Sequence, residues 1–331
     1  MNMYNGVINV YKEAGYTSFD VVARLRGILK QKKIGHTGTL DPDATGVLPV
    51  AVGNATKLIE YLTDKKKEYI ATYVLGLHTD TGDISGNILS QSDAEVTEEE
   101  IIEATASFKG DIMQIPPMYS ALKVDGKKLY ELAREGKEIE RKTRRITIYE
   151  AEVLYIGEYE AFLQEFDRYY GKNDRPIPGN ESHLSRRMTI CMRVVCSKGT
   201  YIRTLCEDIG HKLGTTAVMT ALKRSASGDY GEDSAHTLSE IENIVSTGDA
   251  GNILIPTESA FMQYPKVCLS GEELRLARNG NVLKPGDILK AEECTDDSPL
   301  YIRICDDRGA FFALYERKSS GKVYKPKTMF L

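Results

Sequence analysis

The chain alternates between short segments with helical periodicity and short segments with strand periodicity. An apolar stripe between Val22 and Leu29 recurs at helical spacing and predicts a helix, which Thr17 or Ser18 can cap. Residues 68–76 place Tyr69, Ala71, Tyr73 and Leu75 on one face at strand spacing, which predicts a half-buried strand. Similar segments follow along most of the chain, so the pattern indicates a mixture of both element types.

Two capping boxes and one long strand define the middle of the chain. Thr97 with Glu100, and Thr237 with Glu240, place a hydroxyl and a carboxylate three residues apart at the start of helical segments. Residues 146–156 predict a long strand. The fold class that follows is α+β, with a long mixed, mainly antiparallel sheet and flanking helices.

Two segments depart from this pattern. Residues 157–186 are aromatic, polar and aperiodic, which predicts an insertion or a mobile loop. After Pro256, short strands and Gly turns surround one helix over residues 271–278, which predicts a small β-rich domain. We therefore expect a catalytic domain over residues 1–255 and a second domain over residues 256–331.

Composition narrows the class of protein. The 331 residues include 41% hydrophobic and 27% charged residues, which is ordinary for a globular protein. No basic and apolar leader and no run of roughly 20 apolar residues is present, so we expect a cytoplasmic protein without a membrane span. Six cysteines are scattered without a CxxC pair, as in reduced thiols.

Charge is unevenly distributed along the chain. The formal net charge of -5 argues against a protein that coats nucleic acid indiscriminately. Clusters of lysine and arginine nevertheless flank several Gly-rich loops, and phosphate contacts depend on local charge. These clusters favour a polyanionic partner.

An acidic loop, DPDATG at residues 41–46, is the strongest candidate for chemistry. As an isolated hexapeptide it is a capped turn, because Asp, Pro and Gly favour turns. A calcium loop requires Glu at its twelfth position, where this chain has Val52. Asp41 and Asp43 also fit the Asp-x-Asp-x-Thr nucleophile motif of an aspartyl-phosphate phosphatase, although the buried strand that should precede it is missing. On these residues alone, a capped turn and a phosphatase nucleophile motif are both left as interpretations.

The wider neighbourhood resembles a known family. Residues 32–62, KKIGHTGTLDPDATGVLPVAVGNATKLIEYL, are similar to the signature segment of the TruB family of pseudouridine synthases. Four further blocks resemble that family in its order: KEYIATYVLGLHTDTGDISG, QIPPMYSALKVDGKKLYELAREG, VVCSKGTYIRTLCEDIGHKLG and MTALKRSASGDY. The five blocks are spread in this order along residues 5–230.

The resemblance implies a pseudouridine synthase fold and a uridine isomerisation that requires neither cofactor nor metal. It assigns the catalytic carboxylate to Asp41 and its basic partner to Arg203. A guanidinium beside a carboxylate favours the ionised form. Tyr69 matches the family's base-stacking tyrosine, and Tyr201 matches a second tyrosine of the active site.

Other residues take secondary roles in the resemblance. Leu222 and Lys223 match the apolar wall and the basic residue that close the pocket. His36 matches a residue that lies against the RNA loop, and Asp83 matches one that organises the pocket. Asp43 has no counterpart in the family pattern, so we expect it to point away and to be dispensable.

The implied substrate is the T-arm of tRNA, modified at the T-loop uridine (position 55) after that nucleotide flips out of its stack. The long basic extensions of guide-RNA-dependent relatives are missing, so we expect a monomer that acts without guide RNA. The C-terminal segment resembles a PUA domain, a small RNA-binding fold. Two alternatives remain: an aspartyl-phosphate phosphatase, and an RNA chaperone that has this fold without catalysis.

Overall fold

A computed structural model describes residues 4–120, 122–124, 126–288, 299–318 and 323–331. The strands are β1 (Gly6–Lys12), β2 (Ile34–His36), β3 (Thr45–Val52), β4 (Lys67–Leu75), β5 (Leu77–Thr79), β6 (Ile88–Gln91), β7 (Gly110–Gln114), β8 (Lys123–Val124), β9 (Lys127–Lys128), β10 (Arg144–Glu158), β11 (Met188–Cys196), β12 (Ala217–Ser227), β13 (Tyr230–Gly231), β14 (Lys266–Cys268), β15 (Tyr301–Cys305), β16 (Phe311–Arg317) and β17 (Tyr324–Met329). The α-helices are α1 (Ser18–Leu29), α2 (Ile59–Thr63), α3 (Glu98–Ala106), α4 (Leu129–Arg134), α5 (Tyr159–Tyr170), α6 (Ile202–Lys212), α7 (Leu238–Ser246), α8 (Gly271–Arg278) and α9 (Pro285–Ile288).

One large sheet organises the N-terminal three quarters of the chain. Its strand order is β1-β3-β12-β4-β11-β10-β7, with β2 paired to β3 and β13 paired to β12. The pairs are antiparallel except for β12 and β3, which run parallel where Lys223 lies opposite Thr45. The expected mixed, mainly antiparallel sheet with flanking helices is confirmed.

Local sequence signals account for the ends of the helices. Thr17 caps α1 and forms a capping box with Asp20, and the two expected boxes at Thr97 and Thr237 are also present. Each box satisfies backbone N–H groups that the first helical turn leaves free. After β3, a 3₁₀ helix over Gly53–Leu58 continues into α2.

Strand β4 is buried on both faces, so the half-buried strand predicted for residues 68–76 was wrong. Tyr69 and Tyr73 belong to the main core, together with α6. Ile70, on the opposite face, packs with Phe162 and Phe166 of α5. Ile70 and Val74, between the predicted face positions, are apolar as well, and helices cover both sides of the sheet at this strand.

A helix lies in the first half of residues 157–186, where the sequence predicted an insertion or a mobile loop. Helix α5 occupies Tyr159–Tyr170 and buries Tyr159, Phe162, Phe166 and Tyr170. These side chains recur at helical spacing and cover one face of the sheet. The following residues are irregular but anchored: Asp174 and Leu184 are almost fully buried.

A second sheet forms the C-terminal unit. Its order is β14-β15-β16-β17, and α8 packs on it through Ala277. Phe261 packs both on the first sheet and on Leu314 of β16, so the two units share a cluster. The expected small β-rich unit and its helix over residues 271–278 are present, whereas the division at residue 256 and the likeness to a PUA domain stay predictions. None of the described helices is long and apolar enough to cross a bilayer.

Candidate active site

The acidic loop lies between β2 and β3 and is anchored by the N-terminal strand. Lys12 is fully buried, and its ammonium donates a 2.7 Å hydrogen bond to the Pro42 carbonyl. The backbone N–H of Gly15 donates to the same oxygen. Gly46 has a φ of +102°, and a Cβ there would collide with the backbone of Arg224. The loop is therefore held near its start by two hydrogen bonds to the Pro42 carbonyl, and at its end by the close backbone approach that only Gly46 allows.

Arg203 and Asp41 form a two-point ion pair. Arg203 Nε lies 3.0 Å from Asp41 Oδ2, and Arg203 Nη2 donates to Asp41 Oδ1 over 3.2 Å. The Arg203 side chain is 6% exposed, whereas that of Asp41 is 38% exposed. A planar guanidinium that meets both carboxylate oxygens fixes their orientation as well as their charge. The sequence prediction of this pair agrees with the geometry.

Both Nη nitrogens of Arg203 also donate to backbone carbonyls. Nη1 donates 2.7 Å to the Thr81 carbonyl, and Nη2 donates 2.8 Å to the Tyr119 carbonyl. Asp83 Oδ2 lies 3.8 Å from Nη1. Arg203 starts the first turn of α6, whose apolar face packs in the main core. Its guanidinium is thus pre-positioned by a rigid helix and two carbonyls.

A cavity of about 430 Å³ opens beside this pair. Its lining includes Asp41, Tyr69, Tyr201, Arg203 and Leu222, five residues that the sequence analysis singled out. The volume is within the usual range of small-ligand sites. The structure therefore gathers the expected carboxylate, cation, aromatic rings and apolar wall around one space.

The two tyrosines are held in different ways. Tyr69 is 9% exposed, and burial raises the pKa of its hydroxyl while the nearby Arg224 charge counters that rise. The backbone of Tyr201 is bracketed by the Gln114 side-chain amide, which accepts from its N–H at 2.8 Å and donates to its carbonyl at 3.0 Å. Burial also raises the pKa of Tyr201. Both rings are therefore fixed as neutral aromatic faces.

His36 and Asp83 lie near the cavity but do not line it. His36 is half-buried in β2, where burial lowers the pKa of its imidazole and the Arg224 charge acts in the same direction. Asp83 accepts hydrogen bonds from Thr81 and Ser85 within its own turn. It reaches the site only through Arg203.

The prediction that Lys223 closes the pocket does not agree with its position. Its ammonium lies on the opposite face of β12, where it donates 3.1 Å to the Tyr170 carbonyl and pairs with Glu232 at 3.1 Å. Successive residues of a strand point to opposite faces, so Leu222 and Arg224 face the cavity and Lys223 cannot. Arg224 is the basic residue that the sequence analysis missed.

Asp43, the other member of the phosphatase motif, is not among the residues that line the cavity. Burial raises the pKa of its carboxyl, and the charge of Asp83 adds to this rise.

The carboxylate of Asp80 accepts hydrogen bonds from the backbone N–H and the side-chain amide of Asn87, which closes the turn between them. Among the residues that the structure describes, no group of three or more His, Cys, Asp or Glu side chains is placed to hold a metal ion.

Two family models match the chain. Residues 26–167 match the TruB family pseudouridylate synthase N-terminal domain, and residues 203–262 match the tRNA pseudouridylate synthase B C-terminal domain. The chain is 44% identical over 328 residues to a tRNA pseudouridine synthase B of Lachnoclostridium phytofermentans, covering 99% of this chain and 100% of that protein. A Clostridium perfringens protein of the same name is 42% identical over 319 residues, covering 96% of both chains.

Solved structures agree with the sequence matches. An H/ACA ribonucleoprotein bound to a substrate RNA containing 2′-deoxyuridine is similar, with a TM-score of 0.66 and 25% identity over 98% of this chain and 85% of that chain. A Cbf5-Nop10-Gar1 complex gives a TM-score of 0.64 and 26% identity over the same shares. With near-full-length relatives above 40% identity and an Asp41–Arg203 pair beside a small-ligand cavity, this chain belongs to the TruB family of pseudouridylate synthases.

Proposed function

We propose that the protein isomerises uridine to pseudouridine in the T-loop of tRNA, at position 55, with Asp41 as the catalytic carboxylate. The observation that carries this proposal is the two-point contact of Arg203 with Asp41 at the wall of the cavity. The matched family and the names of the bacterial relatives support uridine in tRNA as the substrate.

The chemistry requires one oriented carboxylate and little else from the protein. The N-glycosidic bond of uridine breaks, the uracil turns, and its C5 carbon rejoins the ribose. Asp41 starts this sequence by attacking the sugar or the uracil, or by removing a ribose proton. Arg203 holds the carboxylate in one orientation throughout, which matters because small misplacements of a reacting group are costly.

The base must leave its stack before it can enter the cavity. Tyr69 then offers an aromatic face, because a neutral ring stacks on any base. Leu222, on the neighbouring strand of the same sheet, forms an apolar wall, and Tyr201 lines the cavity two residues before Arg203. Lys67, which also lines the cavity, donates 2.6 Å to the Lys65 carbonyl and shapes the entrance. His36 lies outside the cavity and is assigned to contact with the RNA loop.

The enzyme acts as a monomer in the cytoplasm, on tRNA and without a guide RNA. The relatives named tRNA pseudouridine synthase B, which this chain matches over nearly its whole length, support this proposal over an H/ACA ribonucleoprotein like the one that shares its fold. The C-terminal unit, whose Thr328 hydroxyl shares a 2.5 Å hydrogen bond with the Tyr61 hydroxyl of α2, adds a second RNA contact.

The test uses the purified chain, an unmodified tRNA transcript and EDTA, with no other RNA or protein. Carbodiimide adducts followed by primer extension map pseudouridine to single nucleotides. The proposal predicts a stop at position 55 alone, and none in a transcript with cytidine at that position. No stop, or a stop that appears only when a second RNA or magnesium is added, would contradict it.

A further inference from the structure

The segment between α5 and β11, residues 171–187, lies against the edge of β12. Strand β12 pairs with β3 in its second half, and the segment lies beside its first half. The Ile177 N–H donates 2.7 Å to the Thr220 carbonyl, and the preceding carbonyl, of Met219, accepts from the Ile84 N–H. The segment is therefore adjacent to the loop that contains Ile84. In sequence, it falls between the regions of the two matched family models.

Asp174 joins this segment to the acidic loop. Its side chain is almost fully buried, and one oxygen, Oδ2, accepts from the Tyr11 hydroxyl at 2.7 Å and from the Thr45 hydroxyl at 3.1 Å. Thr45 is the first residue of β3, four positions after Asp41. It is also a residue at which β3 meets β12. The hydrogen bond to Asp174 therefore fixes the end of the turn that carries Asp41.

Asn180 joins the same segment to the loop that holds Arg203. Its side-chain amide donates 2.9 Å to the Ile84 carbonyl and 2.8 Å to the Gly86 carbonyl. Asn180 has a φ of +47°, a left-handed conformation that asparagine adopts more readily than most residues. The same loop supplies the Thr81 carbonyl, to which Arg203 donates. The position of the Arg203 guanidinium therefore depends on a loop that Asn180 holds.

We infer that the segment positions the Asp41–Arg203 pair. Asp174 acts through the acidic loop, and Asn180 acts through the loop that accepts a hydrogen bond from Arg203. This rests on the proposed function. The two partners of the pair lie on separate elements, so their orientation depends on how those elements are held relative to each other. Neither Asp174 nor Asn180 lines the cavity, so both are positioning residues.

A purely structural role is the competing explanation. Ile177 and Leu184 of the same segment are buried in the main core, so substitutions here cost stability in either case. The two explanations differ in the rate of the folded enzyme. Positioning predicts a slower chemical step at unchanged stem-loop affinity, because a reacting group displaced by about 1 Å costs about 100-fold in rate. A structural role predicts a lower Tm and a wild-type rate for the folded protein.

The experiment measures pseudouridine formation in a T-arm stem-loop under single turnover, at saturating enzyme and well below the Tm of each variant. Asp174→Ala removes the acceptor that Tyr11 and Thr45 share, and it should slow the reaction by about tenfold to 100-fold. Stem-loop affinity should change little. Asp174→Asn can place an oxygen at the Oδ2 position, where both hydrogen bonds end, and should keep most of the wild-type rate.

Asn180→Gly tests the other loop. Glycine adopts a φ of +47° without strain, so this variant loses only the two side-chain hydrogen bonds. It should slow the reaction by about tenfold, again with little change in affinity. Thr45→Val removes the hydrogen bond to Asp174 from the other side, and it replaces Asp174→Ala if that variant does not fold.

The effect of Asp174→Ala should shrink once the Asp41–Arg203 contact is broken. In an Arg203→Lys background it should slow the reaction by less than about threefold, because the carboxylate has already lost its fixed orientation. A structural role does not predict this dependence on Arg203. The same fold loss in both backgrounds would overturn the positioning role.

Arg187→Met is the matched control within the same segment. Arg187 donates to the Gly76 and Ser92 carbonyls, which belong to neither loop of the site. This variant should lower the Tm and leave the single-turnover rate at the wild-type value. Wild-type rates in both Asp174→Ala and Asn180→Gly would overturn the inference and leave a structural role. A wild-type enzyme that makes no pseudouridine from uridine would instead overturn the proposed function, and this inference with it.

Discussion

Arg203 meets both oxygens of the Asp41 carboxylate, with Nε 3.0 Å from Oδ2 and Nη2 3.2 Å from Oδ1. The arginine is almost fully buried and its other N–H groups are bonded to two carbonyls, whereas the aspartate is partly open to the cavity. One partner is therefore fixed by the fold and the other is accessible to a substrate. This asymmetry suits a carboxylate that must react without losing its orientation.

Arg203→Lys should impair the chemical step more than binding. An ammonium cannot contact both carboxylate oxygens and the Thr81 and Tyr119 carbonyls together. Losing one or two charge-assisted hydrogen bonds, each about 1.5–3 kcal/mol, corresponds to a fall in kcat of about 100-fold. KM should change less than about threefold. Steady-state kinetics on a T-arm stem-loop measure both.

Arg193→Lys is the control for that experiment. Arg193 also contacts a carboxylate twice, at Glu68, but it does not line the cavity. Its variant should keep the wild-type kcat. If both arginine variants lost activity equally, the Arg203–Asp41 contact would have no special place in catalysis.

Tyr69→Phe should retain most of the activity, because the ring remains and only the hydroxyl is lost. Tyr69→Leu removes the ring, and a base–aromatic stack contributes about 1–3 kcal/mol. We therefore expect the Leu variant to be at least about tenfold slower than the Phe variant under single turnover. Equal losses would argue against stacking.

Tyr73→Leu serves as the control for Tyr69, since Tyr73 is on the same strand and fully buried in the core. Its substitution should lower the Tm without a matching loss of the single-turnover rate. A rate loss as large as that of Tyr69→Leu would point to general damage of the sheet.

Glu207 should make stability depend on pH. Burial raises the pKa of its carboxyl to about 7, despite the nearby Arg203 charge. An unfolded glutamate has a pKa of about 4.3, so between these values the folded protein holds a proton that the unfolded chain has lost. Stability therefore falls as pH rises through this window.

Glu207→Gln removes that dependence. Its Tm should equal that of the wild type at pH 5 and exceed it by about 2 °C at pH 8, for a gain of about 1 kcal/mol. Calorimetry at the two pH values measures the difference. Glu103→Gln, at an exposed site on α3, should show no such pH-dependent gain. An equal Tm difference at both pH values would refute the role of burial.

Helix α5 should behave as core rather than as a mobile insertion. Phe166 is 5% exposed against the sheet, and Phe166→Ala should cost about 3–5 kcal/mol in the free energy of unfolding. Leu163→Ala on the outer face of the same helix, where the side chain is 42% exposed, should cost much less. Urea unfolding measures both, and equal small costs would restore the mobile-loop interpretation.

The sequence predicted most elements because their signals are local. Capping boxes at Thr97 and Thr237 and the helix over residues 271–278 depend on neighbouring residues, and they appear as expected. Helix α5 was missed although its buried aromatic residues recur at helical spacing. The charged residues between these aromatic residues suggested a loop. The local sequence does not show that the second face of the sheet must be buried by a helix.

For the candidate site, too, local sequence signals predict some features and not others. Asp41 and Arg203 are 162 positions apart, so no local rule brings them together, and only the family resemblance predicted the pair. The sequence analysis assigned the basic residue of the pocket to Lys223 instead of Arg224, and this error was avoidable. Once Leu222 is placed on the cavity wall, the two-residue period of a strand puts Arg224 on the same face and Lys223 on the other.

The central claim is that Asp41, and not its neighbour Asp43, performs the chemistry. Asp41→Asn and Asp43→Asn each replace one carboxylate oxygen of the same loop by an amide nitrogen and remove one negative charge. Each variant is therefore a control for the other. Both variants are incubated with the T-arm stem-loop in EDTA under single turnover, and pseudouridine is mapped by carbodiimide adducts and primer extension. We predict no detectable product from Asp41→Asn and a wild-type rate from Asp43→Asn; product from Asp41→Asn at the wild-type rate would contradict the account.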